Sequence, residues 1–357
     1  MDSATRLPSV AAPPSAGGAP GTPGRGAAAA RPALPPLFII SLDFELYWGV
    51  RDVMTVDGYR RHLEGARVVV PRLLELFRAY DVRATWAAVG CLMLQDVADL
   101  RAHAPARLPG YRRASLCPYA YIDREGASLE PALHFAPALV ERILATPGQE
   151  LASHTFSHFY CLEEPATVEA FRADLQVALA VARSRYGADM RSLVFPRNQY
   201  TPEHVRAAAA LGITAYRGNP ETWMYRPRSG EQESSLRRVA RLVDVFLPMS
   251  PDLSCVLREG EPVNVPASRF LRPWTAAQRW AEPLRLRRIS RELCAAAKRG
   301  RAYHLWWHPH NFGAAPDENL AALRTLLDEL TRLRHTHGMR SATMAEAATL
   351  VKAHVHA

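Results

Sequence analysis

Leu37-Phe38-Ile39-Ile40-Ser41-Leu42-Asp43-Phe44-Glu45 is where the fold of this 357-residue chain becomes readable. The run is short, apolar and preceded by Pro35-Pro36, which suits a buried strand. Two carboxylates stand where the apolar run stops. Side chains alternate along a strand, so Asp43 and Glu45 share a face, and two adjacent carboxylates are costly unless a cation or a shared proton relieves them.

Downstream of this strand, helical and strand patterns alternate. Val68, Leu73, Leu74 and Phe77 recur at helical spacing, and Val82–Val89 reads as a strand ended by Gly90. A helix is expected over 136–145, a strand entering Leu151, a long helix over 166–185 and a buried strand at Leu193-Val194-Phe195. A helix after Pro202, strands at Ile213–Tyr216 and Tyr303–Trp307 and a helix at Leu320–Leu333 complete the series. Repeated strand–helix units make strands parallel, because a parallel crossover needs such a connection. With no Gly-x-Gly-x-x-Gly after the first strand, a (β/α) barrel is expected rather than a dinucleotide-binding sheet. Stretches 97–135 and 218–265, rich in Pro and Gly, are expected as long loops.

Upstream, residues 1–36 hold ten Ala, eight Pro and five Gly without apolar periodicity, the composition of a disordered tail. The expected organisation is that tail followed by one domain over 37–357. Hydrophobic residues make up 48% and charged ones 22%, as in a globular protein with a sizeable core. No run approaches the ~18 apolar residues of a transmembrane span. Five scattered cysteines without a C-x-x-C argue against a disulfide scaffold or a cysteine zinc site, and together with the absence of a secretory h-region they lead to a cytoplasmic expectation.

The formal charge is +9, and the window Arg269–Arg301 alone holds ten basic and two acidic residues. Zinc-finger spacing and base-stacking aromatics are missing, so nucleic acid is not the expected partner. A solvated helix face or a site for a phosphate-bearing substrate fits better.

In a parallel barrel, chemistry gathers at the C-terminal ends of strands. Besides Asp43 and Glu45, three strand ends carry reactive side chains. In Ser153-His154-Thr155-Phe156-Ser157-His158, two histidines four apart are expected on one side of a helical turn, a spacing that suits divalent zinc, cobalt or nickel. In Phe195-Pro196-Arg197-Asn198-Gln199 an arginine could fix a catalytic carboxylate. In Leu305-Trp306-Trp307-His308-Pro309-His310, one histidine is a natural general acid and the other a ligand-contacting or structural group.

Together these segments resemble the polysaccharide deacetylases of carbohydrate esterase family 4, from about Leu37 to His310. His154–His158 matches the family's His-[Ser/Thr]-x-x-His metal motif. Thr85–Gly90 is similar to its second strand, Phe195-Pro196-Arg197 to its arginine motif, and His308-Pro309 to the His-Pro of a branch with spaced carboxylates and allantoinase-like members. The sequence departs from the family in having Asp43-x-Glu45 where many members have adjacent aspartates.

The resemblance implies a distorted (β/α) barrel of seven strands and a carbohydrate deacetylase, a hydrolase of carbon–nitrogen bonds other than peptide bonds. It implies a divalent ion, zinc foremost (or cobalt or nickel), on Glu45, His154 and His158. Asp43 would be the base, His308 the acid and Arg197 the group that orients Asp43; the roles of Asp43 and Glu45 could be exchanged. Trp48, Trp86, Asn198, Trp307 and His310 are the expected substrate contacts, with Trp306 a further flat face and a backbone N–H near Asn198 serving the oxyanion. The expected substrate is an acetylated saccharide in surface glycan metabolism, with a nucleotide or lipid-phosphate linkage suggested by the basic segment. A metal-independent allantoinase-like amide hydrolase and an inactive saccharide-binding protein are the alternatives.

Overall fold

The protein is described by a computed structural model over residues 34–220, 244 and 252–356. The expected tail therefore lies outside the described residues except at 34–36, where Leu34 packs on the barrel and Pro36 O accepts a hydrogen bond from Arg340 N. Most of the stretch 221–251 also lies outside them.

Among the described residues nine strands form one sheet: β1 (Leu37–Phe44), β2 (Ala84–Ala88), β3 (Gln149–Ser153), β4 (Ser192–Leu193), β5 (Ala215–Tyr216), β6 (Val263–Asn264), β7 (Arg269–Phe270), β8 (Ala302–Trp307) and β9 (Arg340–Ala342). Eight lie on a single path, β6-β5-β4-β3-β2-β1-β8-β7, and β9 adds to β1. Their ladders are parallel. All of β1 is buried, as a strand covered on both faces must be.

The sheet has to curl. Laid flat, its edges would stand ~34 Å apart at ~4.8 Å per strand, yet β6 and β7 are joined by residues 265–268 alone, a reach of at most ~19 Å. One extended stretch passes from edge to edge: Val263, Val265 and Ala267 donate to Thr214, Tyr216 and Gly218, then Ser268 and Leu271 donate to His304 and Trp306. The barrel path thus has eight strands rather than the expected seven, because this stretch is split into β6 and β7 around Pro266, which has no N–H to give a ladder.

Helices cover the outside. Val56–Ala79 is capped by Thr55, whose side chain accepts from Gly58 N, and buries Tyr59, Leu63, Ala66, Val70, Leu73 and Phe77 on one face. Val168–Tyr186 starts at Thr167 and ends at Gly187, whose φ of 62° suits glycine. Glu282–Lys298 and Pro316–His337 pack on the other flank, and Met344–His356 closes the barrel floor through Met344, Ala347, Ala348 and Val351. The stretch expected as loop over 97–135 holds three short α-helices, Val97–Ala102, Pro118–Glu125 and Pro131–His134, and a 3-10 turn at Ala114–Leu116.

Candidate active site

The inward residues of β1 run Leu37, Ile39, Ser41, Asp43, and Glu45 follows one step past the strand. Leu37 and Ile39 join an apolar plug with Ala152, Val194, Val263 and Ala302, whereas Phe38, Ile40, Leu42 and Phe44 face the helices. Polarity begins at Ser41, so the ionisable groups collect at the C-terminal ends of the strands.

Asp43 is gripped by Arg217, the residue directly after β5. The guanidinium binds both carboxylate oxygens at 2.6 and 2.7 Å, donates to Ser41 Oγ at 3.0 Å and to Asn198 Oδ1 at 3.1 Å, and lies 4.1 Å from the Trp306 ring centre. Burial alone would raise the Asp43 pKa; Arg217 outweighs it and holds the carboxyl below its usual range. His304 lies behind, its Nε2 2.8 Å from Ser41 Oγ, and burial with Arg217 nearby pushes it down to about 3.

Glu45 faces imidazoles instead. Its Oε2 is 3.3 Å from His154 Nε2 and 3.1 Å from His158 Nε2, and the three side chains are almost wholly buried. Their ligand atoms lie within 4.8 Å of one another. His154 Nδ1 is 2.8 Å from Val194 O, a group that can only accept, so a proton sits on Nδ1. In the neutral ring this leaves a lone pair on Nε2 pointing at a carboxylate oxygen. Burial pushes His158 down to about 4, so it is neutral at physiological pH. One carboxylate and two imidazole nitrogens therefore converge, a donor set that fits a divalent cation.

The His154–His158 segment is a loop after β3, not the expected helical turn. Thr155 and His158 take left-handed φ values of 62° and 57°, which side-chain-bearing residues seldom adopt. Asp174, from Val168–Tyr186, holds this shape by accepting from Phe156 N at 2.7 Å, from Ser157 N at 3.2 Å and from the Ser157 hydroxyl, and Phe159 N donates to Thr155 Oγ1 at 2.7 Å. Room beside Glu45 depends on Gly49, where a Cβ would lie 1.9 Å from the Glu45 carboxyl carbon.

His308 Nε2 stands 3.5 Å from Glu45 Oε1 and 3.7 Å from Asp43 Oδ2. Its side chain is 23% exposed, against 1–3% for His154, His158 and His310. Asn311 Nδ2 lies 3.2 Å from His308 Nδ1, and the Tyr59 hydroxyl donates to Asn311 Oδ1 at 3.1 Å. His310 stacks on His308 at 5.0 Å, its Nε2 3.9 Å from Glu45, and burial drives it down to about 3.

Several expected contacts are corrected. Arg197 does not touch Asp43; it pairs with Asp52 and lies 4.4 Å from the Tyr160 ring centre. The Asn198 N–H already donates to Phe195 O at 2.9 Å and is not free for an oxyanion, though its side chain buttresses Arg217. Trp48, Trp86 and Trp307 are fully buried packing residues: Trp48 donates to His134 O at 2.7 Å, Trp86 meets Phe44 and Phe77, and Trp307 stacks on Phe312. Strand alternation explains this, since His304 and Trp306 point inward and Trp307 outward. His310 is buried beneath His308 rather than placed on an open face.

Residues 54–216 match the polysaccharide deacetylase family model. No curated protein matches the sequence. The fold is similar to a crystal structure of a putative polysaccharide deacetylase from Mycobacterium smegmatis (TM-score 0.58, 14% identity, covering 93% of this chain and 95% of that one). It is also similar to that of Puue allantoinase (TM-score 0.52, 12% identity, covering 89% of each). No helix among the described residues is long and apolar enough to cross a membrane.

Proposed function

We propose that the protein is a metal-dependent deacetylase that hydrolyses an N-acetyl (or O-acetyl) group on a saccharide. The observation that carries this reading is the convergence of Glu45, His154 and His158 beside an arginine-gripped Asp43 and a partly exposed His308.

Glu45, His154 and His158 would hold a divalent ion, zinc by preference, with cobalt and nickel suited to the same donors. Such an ion supplies a Lewis acid for the acetyl carbonyl and lowers the pKa of water. Asp43 accepts the proton of the attacking water. Arg217 keeps that carboxylate ionised through neutral pH and fixes its plane. His308 presents Nε2 at the open side of the two carboxylates and protonates the leaving nitrogen, without which expulsion is slow. The partly exposed Trp306, with Arg217 against it, offers a flat surface for a sugar ring.

The substrate in this reading is a precursor of surface glycan, nucleotide- or lipid-phosphate-linked, met on the cytoplasmic side; all five cysteines are free thiols, as a reducing compartment allows. The test is elemental analysis of purified wild type beside His154→Ala, with acetate release measured on N-acetylated oligosaccharides. Near-stoichiometric metal and acetate release, both lost on substitution, are expected. A folded wild type that takes up no metal when loaded, or that takes it up and releases no acetate from any acetylated sugar, would sink the proposal.

A further inference from the structure

The basic residues of Arg269–Arg301 divide into two sets. Arg269 and Arg288 are buried and share Glu292 and Asp244, Arg285 pairs with Glu282, and Arg299 and Arg301 meet Asp252. Arg279, Arg287, Arg291 and Lys298 are exposed and form no ion pair among the described residues; Glu282 and Glu329, which line the groove beside the first three, are already paired with Arg285 and Arg332. Trp280, 75% exposed, and Leu284, 52% exposed, stand among these four.

Helix geometry puts these side chains in line. Leu284, Arg287, Arg291 and Lys298 fall within about 60° on Glu282–Lys298, and Trp280 precedes Leu284 by one turn. Arg285, Arg288, Ile289 and Leu293 on the other side are buried in the body. Beside the stripe runs a groove of about 720 Å³ whose lining includes Trp274, Leu286, Cys294, Glu282 and Glu329 together with the stripe's own arginines. The helix descends from the end of β7 to the start of β8, so Trp280 and Leu284 lie at the end of the barrel that carries Asp43, Glu45 and His308. Phe270, the last residue of β7, has its ring 5.8 Å from that of His308.

We propose that this face docks the protein on an anionic membrane surface, with Trp280 and Leu284 entering the interface and Arg279, Arg287, Arg291 and Lys298 meeting lipid phosphates. A soluble phosphate would need the cations but not the protruding tryptophan and leucine. A basic stripe continuous with exposed apolar side chains is what an interfacial helix presents to a bilayer. The inference does not depend on the deacetylase chemistry, since the docking is read without turnover.

The test is co-sedimentation of the full chain with phosphatidylcholine vesicles and with vesicles also containing phosphatidylglycerol. Binding to the anionic vesicles only is expected. R287E/R291E and W280S/L284S, all exposed positions, should each weaken partitioning by about tenfold or more. R61E/R172E, an equal charge change at exposed residues on two other helices, should hold within about twofold. Thermal unfolding of each variant checks that the fold is kept. No binding to anionic vesicles, an equal loss with R61E/R172E, or no loss with W280S/L284S would overturn the proposal; the second outcome means adsorption by net charge and the third a purely electrostatic contact.

Discussion

Asp43 and Glu45 are two residues apart and equally buried, yet one is neutralised by the protein and the other is not. Asp43 has both oxygens on Arg217, a cation anchored at the end of β5 and stacked on Trp306. Glu45 has no arginine or lysine among the described residues; two imidazoles present nitrogens to one of its oxygens. The first arrangement is complete once the chain has folded. The second gathers a carboxylate and two imidazoles without a fixed positive charge, the pattern of a site whose counter-ion comes from solution. Each half of the site should therefore fail in its own way.

The largest effect is expected in the Asp43 half. Arg217→Met leaves a buried carboxylate unpaired, which costs about 3–5 kcal/mol. Urea unfolding should show the loss, and the acid limb of the activity profile should move to higher pH as Asp43 loses the partner that depresses it. Arg197→Met should cost less, because that guanidinium is 26% exposed and the Tyr160 hydroxyl stays on Asp52 at 3.2 Å. A greater cost for Arg197→Met would break the assignment of Arg217 as the residue that keeps Asp43 ionised. In the Glu45 half, Gly49→Ala pushes a methyl group into the carboxylate. Metal affinity should fall roughly 10–100-fold by competition with a chelator, the size seen when support for a ligand is lost. Unchanged affinity would mean that Glu45 is not a ligand.

The two halves were also unequally legible in the sequence. Apolar runs punctuated by proline and glycine marked the strands, and alternation put Asp43 and Glu45 on one face. The His154–His158 spacing identified both imidazoles, although the loop that carries them is shaped by Asp174, twenty residues from His154, which no local pattern reveals. Arg217 could have been found: it follows the strand expected at Ile213–Tyr216, and the strand-end rule applied to Arg197 applies to it as well. The tryptophans were misassigned for a similar reason. Alternation along β8 separates inward Trp306 from buried Trp307. The pairing of Asn311 with His308 and Tyr59 joins helix Val56–Ala79 to the end of β8, a long-range contact beyond single-sequence reading.

A pH dependence sharpens the contrast from the Asp43 side. His304 is held neutral, down to about 3, while an unfolded histidine titrates near ~6.5. The unfolded chain thus binds the extra proton first as pH falls. Its contribution to stability is whole above ~6.5 and shrinks down to about 3, so about 2 kcal/mol is lost between pH 7 and pH 5. Urea unfolding at the two pH values should show this slope in the wild type and a shallower one in His304→Gln. Equal slopes would mean that His304 is not a buried neutral group behind Ser41 and Arg217.

His308 decides whether the division is real, because its Nε2 faces both carboxylates. Its other nitrogen is met by Asn311, itself held by Tyr59. If His308 acts on substrate, Asn311 is a positioning residue whose loss lets the ring turn without touching either half. Asn311→Ala should then lower kcat by roughly tenfold, at the low end for general acid–base contributions, with KM, metal content and unfolding in urea nearly unchanged. Tyr59→Phe, one bond further away, should do the same more weakly. Loss of metal from Asn311→Ala comparable to that from Gly49→Ala would instead place His308 with Glu45 and the imidazoles, and the proton for the leaving group would have to come from elsewhere.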